Sequence, residues 1–330
     1  MKSLATLKKQ SSLLVWVIVI LLLVFIPIMN VPQQWVLYLF LFFFYLAIVN
    51  VWNLLAGYCG LVSLCQPAFL TIGGYGVVVF TWNHLPFYFG IIAGGIVAAL
   101  FAAAITIPTF RLKGIFFAIG TLIIPEILRI VFLLWRPVSS GYGGGSGYMI
   151  PGATDVSSHT TYWMALIVGM GSLFLIRYIL RSKVGLGLEA IGDNDMAAAS
   201  SGVNVFRLKF NAFVIGAFIT GVAGAIFYVY KGFILPETAL NMQWTIQLMV
   251  ATVIGGMATL EGPVVGTIII IILQFALSRS QGMSLLIQGI ILIVILLIAP
   301  RGIVGTIKNT GVRRTFQNLF ARGTSPKQPI

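Results

Sequence analysis

The residues Trp35–Leu55 read WVLYLFLFFFYLAIVNVWNLL, a stretch without a single charged side chain. A helix needs about 20 mainly apolar residues to cross the hydrocarbon core of a bilayer. This stretch is therefore predicted to be a membrane-spanning helix, and it sets the class of the whole chain.

The composition extends this prediction to the remaining sequence. Charged residues make up 8% and hydrophobic residues 59% of the 330 residues, against about 25% charged residues in ordinary globular domains. A soluble fold cannot bury so much apolar surface, which excludes a soluble enzyme. The formal net charge of +13 does not indicate a nucleic-acid partner, because basic excess in a membrane protein normally marks its cytoplasmic loops. The expected fold is an all-α polytopic membrane protein.

Ten spans are predicted. They are Ser12–Met29, Trp35–Leu55, Leu61–Trp82, Phe87–Pro108, Gly114–Trp135, Tyr162–Leu180, Phe210–Tyr230, Trp244–Leu260, Pro263–Leu277 and Ser284–Ala299. No small-residue cleavage site follows the first, which is expected to remain as a helix rather than act as a signal peptide. The last three are short, so that one or two could be tilted, broken or re-entrant. The count is then eight to ten.

The basic residues predict the orientation. With a cytoplasmic N-terminus, 15 of the 20 Lys and Arg residues fall on the cytoplasmic side. Only Arg136, Lys231 and Arg279 fall outside. Because cytoplasmic loops are enriched in Lys and Arg, both termini are expected in the cytoplasm.

Two domains follow from this pattern. Residues 1–307 form the predicted transmembrane domain, which includes an outer glycine-rich loop at 136–160 and a cytoplasmic loop at 182–209. Residues 308–330 form a basic cytoplasmic tail, expected to be disordered on anionic lipid headgroups.

The cytoplasmic loop contains a predicted short helix. Asp193 is a suitable N-cap, Asp195 lies in the first turn against the helix dipole, and Gly202 can end the helix at C′. A solvated connector is the simpler interpretation of such a loop. A connector has no need of caps and flanking glycines, however, so the helix is interpreted as a docking element.

Polar residues gather where glycines interrupt the apolar pattern. Gly57–Gly60 and Gly73–Gly76 are predicted to break helices on either side of the third span. The polar residues near these breaks are Asn53, Ser63, Gln66, Thr71 and Tyr75. They indicate either a polar pathway or simple hydrogen bonding between helices.

Two charges lie inside the fifth span. Glu126 and Arg129 are three residues apart, which lets them neutralise each other on one helix face. An unpaired charge at that depth would cost at least about 2.5 kcal/mol. The pair is either a structural ion pair or part of the route through the membrane.

Catalytic and metal-binding motifs are absent from the sequence. It contains no G-x-x-x-x-G-K-[ST], so no ATP hydrolysis by a P-loop is expected. Two cysteines, Cys59 and Cys65, and two histidines are too few for a metal cluster. No catalytic residue and no metal site are predicted.

The sequence resembles the branched-chain amino acid ABC-importer permeases, specifically the second, M-type subunit of the usual pair. Five stretches carry the resemblance: Asn53–Phe69 (NLLAGYCGLVSLCQPAF), Arg111–Arg129 (RLKGIFFAIGTLIIPEILR), Glu189–Ala198 (EAIGDNDMAA), Gly255–Pro263 (GGMATLEGP) and Pro300–Gly302 (PRG). Two departures bear on function. Cys65-Gln66-Pro67 replaces a common glycine-histidine motif in the polar lining, and Gly192 replaces a common arginine in the cytoplasmic motif.

The resemblance implies an ATP-driven importer of branched-chain or other neutral aliphatic amino acids in a bacterial inner membrane. The implied partners are a homologous permease, two ATPase subunits and an extracytoplasmic solute-binding protein. ATP and Mg²⁺ would bind to the ATPases, and no cofactor to this chain. The implied ATPase-coupling residues are Glu189, Asp193, Asn194, Asp195, Ala198 and Arg207. The candidate translocation pathway is Asn53, Ser63, Gln66, Thr71, Tyr75, Thr121, Glu126 and Arg129.

Other functions remain open at this point. A related permease could carry urea, short amides or nucleosides, because the binding protein largely sets the substrate in such systems. An ion-coupled secondary transporter or channel would need no ATPase, and a scaffold would not need the loop helix.

Overall fold

The computed structural model describes residues 22–29, 31–136, 147–277 and 302–307, with a few isolated positions between 287 and 297. Its α-helices are α1 Gln33–Trp52, α2 Gln66–Trp82, α3 Phe87–Thr109, α4 Ile115–Leu134, α5 Ser158–Leu180, α6 Lys183–Asp193, α7 Asp195–Ser200, α8 Val205–Lys231, α9 Pro236–Ala239, α10 Gln243–Gly255, α11 Gly262–Leu277 and α12 Gly302–Ile307. Two-residue strands β1 (Tyr148–Met149) and β2 (Phe233–Ile234) pair antiparallel. A π-helical turn, Asn53–Tyr58, continues α1.

Five helical segments in the described part of the chain are long and apolar enough to cross a membrane. They are α1 with its π-helical turn, α3, α4, α5 and α8. The expectation of an all-α membrane protein is thereby confirmed. Most of the predicted spans Ser12–Met29 and Ser284–Ala299 lies outside the described residues, as do the tail 308–330 and residues 137–146 of the outer loop.

The two central helices are α1 and α8. In their most apolar stretches, 83% and 78% of the residues are buried inside the protein, against 17% for α4. Helices α2 and α3 pack on α8, α5 packs on α1, and α10 and α11 form a hairpin beside α1. Phe44 of α1 stacks on Phe227 of α8 with ring centroids 4.7 Å apart. Helix α4 therefore lies at the edge of the bundle.

Glycines set the spacing of the three-helix unit α2, α3 and α8. A Cβ atom at Gly73 would lie 1.9 Å from the carbonyl oxygen of Gly221, and one at Gly94 would lie 2.5 Å from that of Gly73. The prediction that Gly73–Gly76 break a helix is wrong, because they lie in the middle of α2. In lipid, small residues let helix backbones approach closely without interrupting either helix.

The predicted break at Gly57–Gly60 is confirmed. Helix α1 ends in its π-helical turn, and residues 59–65 have no regular helix before α2 begins at Gln66. The predicted span Leu61–Trp82 was therefore too long at its start. Residues 59–65 are called the unwound segment below. They are mostly apolar, and contacts with other helices hold them outside helical geometry.

Replacing Gly73 by alanine should destabilise the bundle. The new methyl group would meet the backbone of Gly221, and overpacking of this kind costs about 1–3 kcal/mol. Size-exclusion chromatography after heating in mild detergent should show a lower melting temperature. Gly171→Ala is the matched control, because a Cβ there meets nothing within 4 Å. Equal melting temperatures of the two variants would contradict the packing argument.

Candidate functional site

The loop between α5 and α8 folds into two helices rather than the single short helix predicted. Helix α6 begins after Ser182, whose Oγ accepts a hydrogen bond from the Val184 backbone N–H at 3.2 Å. The N-cap of α7 is Asn194, whose Oδ1 accepts from Met196 N at 2.9 Å and from Ala197 N at 3.1 Å. Asp193 instead ends α6. The backbone at Asn194 is extended, with φ −161° and ψ 114°, as an N-cap requires.

Most of the predicted coupling residues lie on the surface of this helix pair. Glu189, Asp193, Asn194, Asp195 and Arg207 are exposed, whereas Ala198 is buried. Asp195 forms a salt bridge to Lys209 of α8, with Nζ and Oδ2 2.6 Å apart. This pair ties α7 to the first turns of α8. Gly202 ends α7 as predicted, with φ +84°.

The helix pair also exposes apolar side chains. Met196 is 77% exposed and Leu186 is 67% exposed. Both belong to a segment that carries charged and polar residues and lies between two membrane-length helices. Exposed apolar side chains rimmed by polar ones are typical of protein-interaction surfaces.

The inner face of α6 packs on the end of α1. Leu188 and Ile191 are buried. At Gly192, a Cβ would lie only 2.6 Å from the carbonyl oxygen of Tyr58. Gly192, which stands where an arginine is common in the resembled family, thus lies where the α6 backbone contacts the π-helical turn.

Asn53 joins the π-helical turn to the connection between α10 and α11. Its Oδ1 accepts from Ala258 N and its Nδ2 donates to Thr259 O, both at 2.9 Å. One buried amide therefore satisfies a donor and an acceptor of another turn. The structure thus gives Asn53 a role in joining two turns.

The backbone of the unwound segment is held by side chains from three helices. Trp52 Nε1 donates to Ser63 O at 3.0 Å. Both backbone polar groups of Leu64 are paired. Its N–H donates to Thr121 Oγ1 at 3.1 Å, and its carbonyl accepts from Thr245 Oγ1 at 3.2 Å. Non-helical backbone at membrane depth requires such partners.

Three candidate pathway residues on α2 are buried with incomplete hydrogen bonding. Gln66 Oε1 accepts from Thr220 Oγ1 at 3.2 Å. Gln66 Nε2, Thr71 Oγ1 and Tyr75 OH have no well-aligned hydrogen-bond partner among the described residues, and the Tyr228 side chain lies next to Thr71. The Tyr75 ring stacks on Phe132 of α4 with centroids 3.9 Å apart. Buried polar groups are usually satisfied by protein or ordered water, so these polar atoms have hydrogen-bonding capacity left for ordered water.

Glu126 and Arg129 form the predicted i, i+3 ion pair. Arg129 Nε lies 2.8 Å from Glu126 Oε2. Their side chains are 52% and 36% exposed, respectively, on the side of α4 away from buried Phe117, Thr121 and Pro125. The pair is therefore on the outer surface of this chain. Contact with lipid at that position is unfavourable for charged groups.

The structure contains a polar cluster that sequence reasoning missed. Gln274 Nε2 donates to Tyr45 OH, which donates to Gln247 Oε1, both at 2.8 Å. Tyr45 and Gln274 also line a cavity of about 540 Å³ beside Lys231 at the end of α8. Isolated glutamines in the short apolar helices α10 and α11 were the available signal.

These observations define an all-α membrane protein with an exposed, capped helix pair that packs on the π-helical turn at the end of α1. The family model described as "Branched-chain amino acid transport system / permease component" matches residues 34–298. The chain belongs to this family. No solved structure matches it.

Several relatives support the assignment. The high-affinity branched-chain amino acid transport system permease protein LivM of Escherichia coli is 27% identical over 76% of this chain and 65% of its own length. The corresponding LivH protein of Escherichia coli is 27% identical over 46% of this chain and 49% of its own. The ribose import permease protein RbsC of Haemophilus influenzae is 26% identical over 46% of this chain and 47% of its own. The chain thus spans about two thirds of the LivM protein it matches.

Replacing Asn53 by alanine should loosen the joint between α1 and the α10–α11 connection. It removes two part-buried hydrogen bonds, to Ala258 N and Thr259 O, each of which contributes about 0.5–1.5 kcal/mol. The melting temperature in detergent should fall. Asn83→Ala, which removes an exposed hydrogen bond to Val79 O, is the control. An equal effect at the two asparagines would show that the Asn53 contact is not structural.

Proposed function

We propose that this protein is the M-type permease subunit of an ATP-binding-cassette importer for branched-chain or other neutral aliphatic amino acids. The observation that carries the proposal is the α6–α7 pair, which is exposed outward and packed inward on the π-helical turn. Family membership supplies the transport role, and the names of the LivM and LivH relatives supply the substrate class.

The helix pair has the features of a docking site for a separate ATPase. Side-chain caps at Ser182 and Asn194 stabilise both helices. The pair presents Glu189, Asp193 and Asn194 to the outside, and Arg207 of α8 is exposed as well. The 77% exposure of Met196 adds an apolar anchor of the kind that enters a partner's groove. Two ATPases bearing ATP and Mg²⁺ would bind this chain and a homologous permease from the cytoplasm, and a solute-binding protein would deliver the amino acid from outside.

The proposed orientation places both termini and the α6–α7 pair in the cytoplasm, with ten spans in a bacterial inner membrane. The positive-inside distribution of Lys and Arg supports it. The basic tail 308–330 would then lie on anionic lipid, and the paired strands β1 and β2 would face the binding protein.

The translocation pathway is proposed to run beside α4. This helix has the most exposed apolar stretch of the five membrane-length helices, and its outward face carries the Glu126–Arg129 pair. A facing permease would cover that side, so that the charges meet protein and water rather than lipid. The hydroxyl groups of Thr71 and Tyr75, which lack a well-aligned partner among the described residues, lie on the neighbouring helix α2, which contacts α4 through the Tyr75–Phe132 stack.

Asp193→Arg should uncouple the importer while leaving the membrane helices folded. The reversal of charge falls at the end of α6, on the proposed ATPase surface. In proteoliposomes that contain both permeases, the ATPases and the binding protein, Mg-ATP should drive leucine uptake by the parent protein and not by the variant. Urea and ribose are the comparison substrates.

Glu237→Arg is the matched control for this experiment, because Glu237 is also exposed but is expected on the opposite side of the membrane. Normal ATP-driven uptake by Asp193→Arg would contradict the docking role. Uptake of urea or ribose in place of leucine would contradict the proposed substrate but not the proposed class of transporter. ATP-independent flux would contradict an ABC importer.

Neutralising one member of the ion pair should abolish transport. Glu126→Gln leaves Arg129 unpaired, which costs at least about 2.5 kcal/mol at membrane depth. The exchange of both residues, Glu126→Arg with Arg129→Glu, restores the pair with reversed polarity. The exchanged protein should assemble normally by co-purification and still fail to import leucine. Full uptake by the exchanged protein would show that the pair is structural only.

A further inference from the structure

We infer that Gly192 and Thr121 are positioning residues, through which the unwound segment transmits a movement of α6 to the edge helix α4. The inference rests on the proposed function and adds to it the route inside this chain. It is carried by two contacts at the two ends of residues 59–65, and by the weak attachment of α4 to the rest of the bundle.

The first contact joins α6 to the start of the unwound segment. Gly192 and the Tyr58 carbonyl are so close that a Cβ would lie 2.6 Å from the oxygen. No side chain separates the two backbones at this point, and Ile191 beside it is buried. A rigid shift of α6 toward the membrane would push directly on Tyr58.

The segment is exposed at Gly60 and Val62, but its other positions have little freedom to absorb such a push. Cys59, Ser63 and Cys65 are fully buried. Leu61 N–H donates to the Leu55 carbonyl at 2.8 Å, and Trp52 Nε1 holds Ser63 O. Close-packed interiors transmit strain because they are not compressible. Displacement of Tyr58 should therefore reach Leu64.

The second contact joins Leu64 to α4. The Thr121 hydroxyl donates its proton to Ala118 O at 2.9 Å, and its oxygen accepts from Leu64 N–H at 3.1 Å. The side chain thus links the backbone of the segment to the backbone of α4. Glu126 follows five residues later, at a rise of about 7.5 Å along the helix.

Helix α4 is suited to be the element that moves. Only 17% of its most apolar stretch is buried. Besides Thr121, its attachments include the Tyr75–Phe132 stack and the hydrogen bond from Tyr148 OH to Trp135 O at 2.6 Å. Both lie near its outer end. The inner half is held by the Thr121 bond together with the packing of buried Phe117 on Phe110, with ring centroids 5.9 Å apart. The Thr121 bond is its hydrogen bond to the unwound segment, and the outer contacts form a pivot.

The decisive comparison is between Thr121→Val and Thr121→Ser in the assembled importer. Valine keeps the shape and removes the acceptor for Leu64 N–H, whereas serine keeps the hydroxyl. The readout is the number of leucine molecules imported per ATP hydrolysed. We expect this ratio to fall about fivefold or more with valine, as for loss of a typical coupling free energy, and to remain near the parent value with serine.

Gly192→Ala tests the other end of the route. The added methyl group should displace α6 from Tyr58 and lower the same ratio, with Gly171→Ala as the control. If both contacts serve one route, the double variant Gly192→Ala with Thr121→Val should be no worse than the more affected single variant. If Thr121→Val fails to assemble, the import-to-hydrolysis ratio of Gly192→Ala alone tests the inference.

Two results would overturn the inference while leaving the proposed function standing. One is a parent-like import-to-hydrolysis ratio in both Thr121→Val and Gly192→Ala. The other is an equal loss with serine and valine, which would show that the hydroxyl is not the link. Failure of the proposed function is recognised separately, because the parent complex would then show no ATP-driven leucine uptake.

Discussion

The interaction on which the structure depends is the satisfaction of backbone hydrogen bonds where the chain leaves helical geometry inside the bundle. Cys59, Leu61, Ser63 and Cys65 of the unwound segment are buried, so its peptide groups need partners within the protein. Trp52, Thr121 and Thr245 supply partners from three different helices. Because an unpaired peptide group in such surroundings costs several kcal/mol, α1, α4 and α10 must meet at this segment. The position of the edge helix α4 follows from that requirement.

Close backbone contact is the second constraint, and it has the same origin in the absence of a hydrophobic driving force between helices in lipid. Gly73, Gly94 and Gly221 let α2, α3 and α8 approach until their backbones touch. The resulting unit is stiff. Gly192 applies the same device outside the helical bundle, where it brings α6 against the π-helical turn. Glycine thus determines both how closely the membrane helices pack and where the α6–α7 pair contacts them.

The sequence predicted the class of fold, most helix boundaries to within a few residues and the Glu126–Arg129 pair. It placed the N-cap of the loop helix one residue early, at Asp193, because both Asp193 and Asn194 are good caps by residue type. The choice between them depends on which backbone is extended, and that is set by how α6 packs. The glycines of α2 were read as a break because composition alone cannot distinguish a glycine that ends a helix from one that accepts a neighbouring helix.

Local properties of the chain were enough to predict its apolar character, its long spans, an ion pair at i, i+3 spacing and a capped polar loop. Which polar residues meet depends instead on how the helices pack. Asn53 bonds to Ala258 and Thr259, Tyr45 joins Gln247 and Gln274, and Thr121 holds Leu64. These partners are separated by between 57 and 229 residues. Side-chain hydrogen bonds carry no periodic trace in sequence, so their pairing is set by helix packing alone.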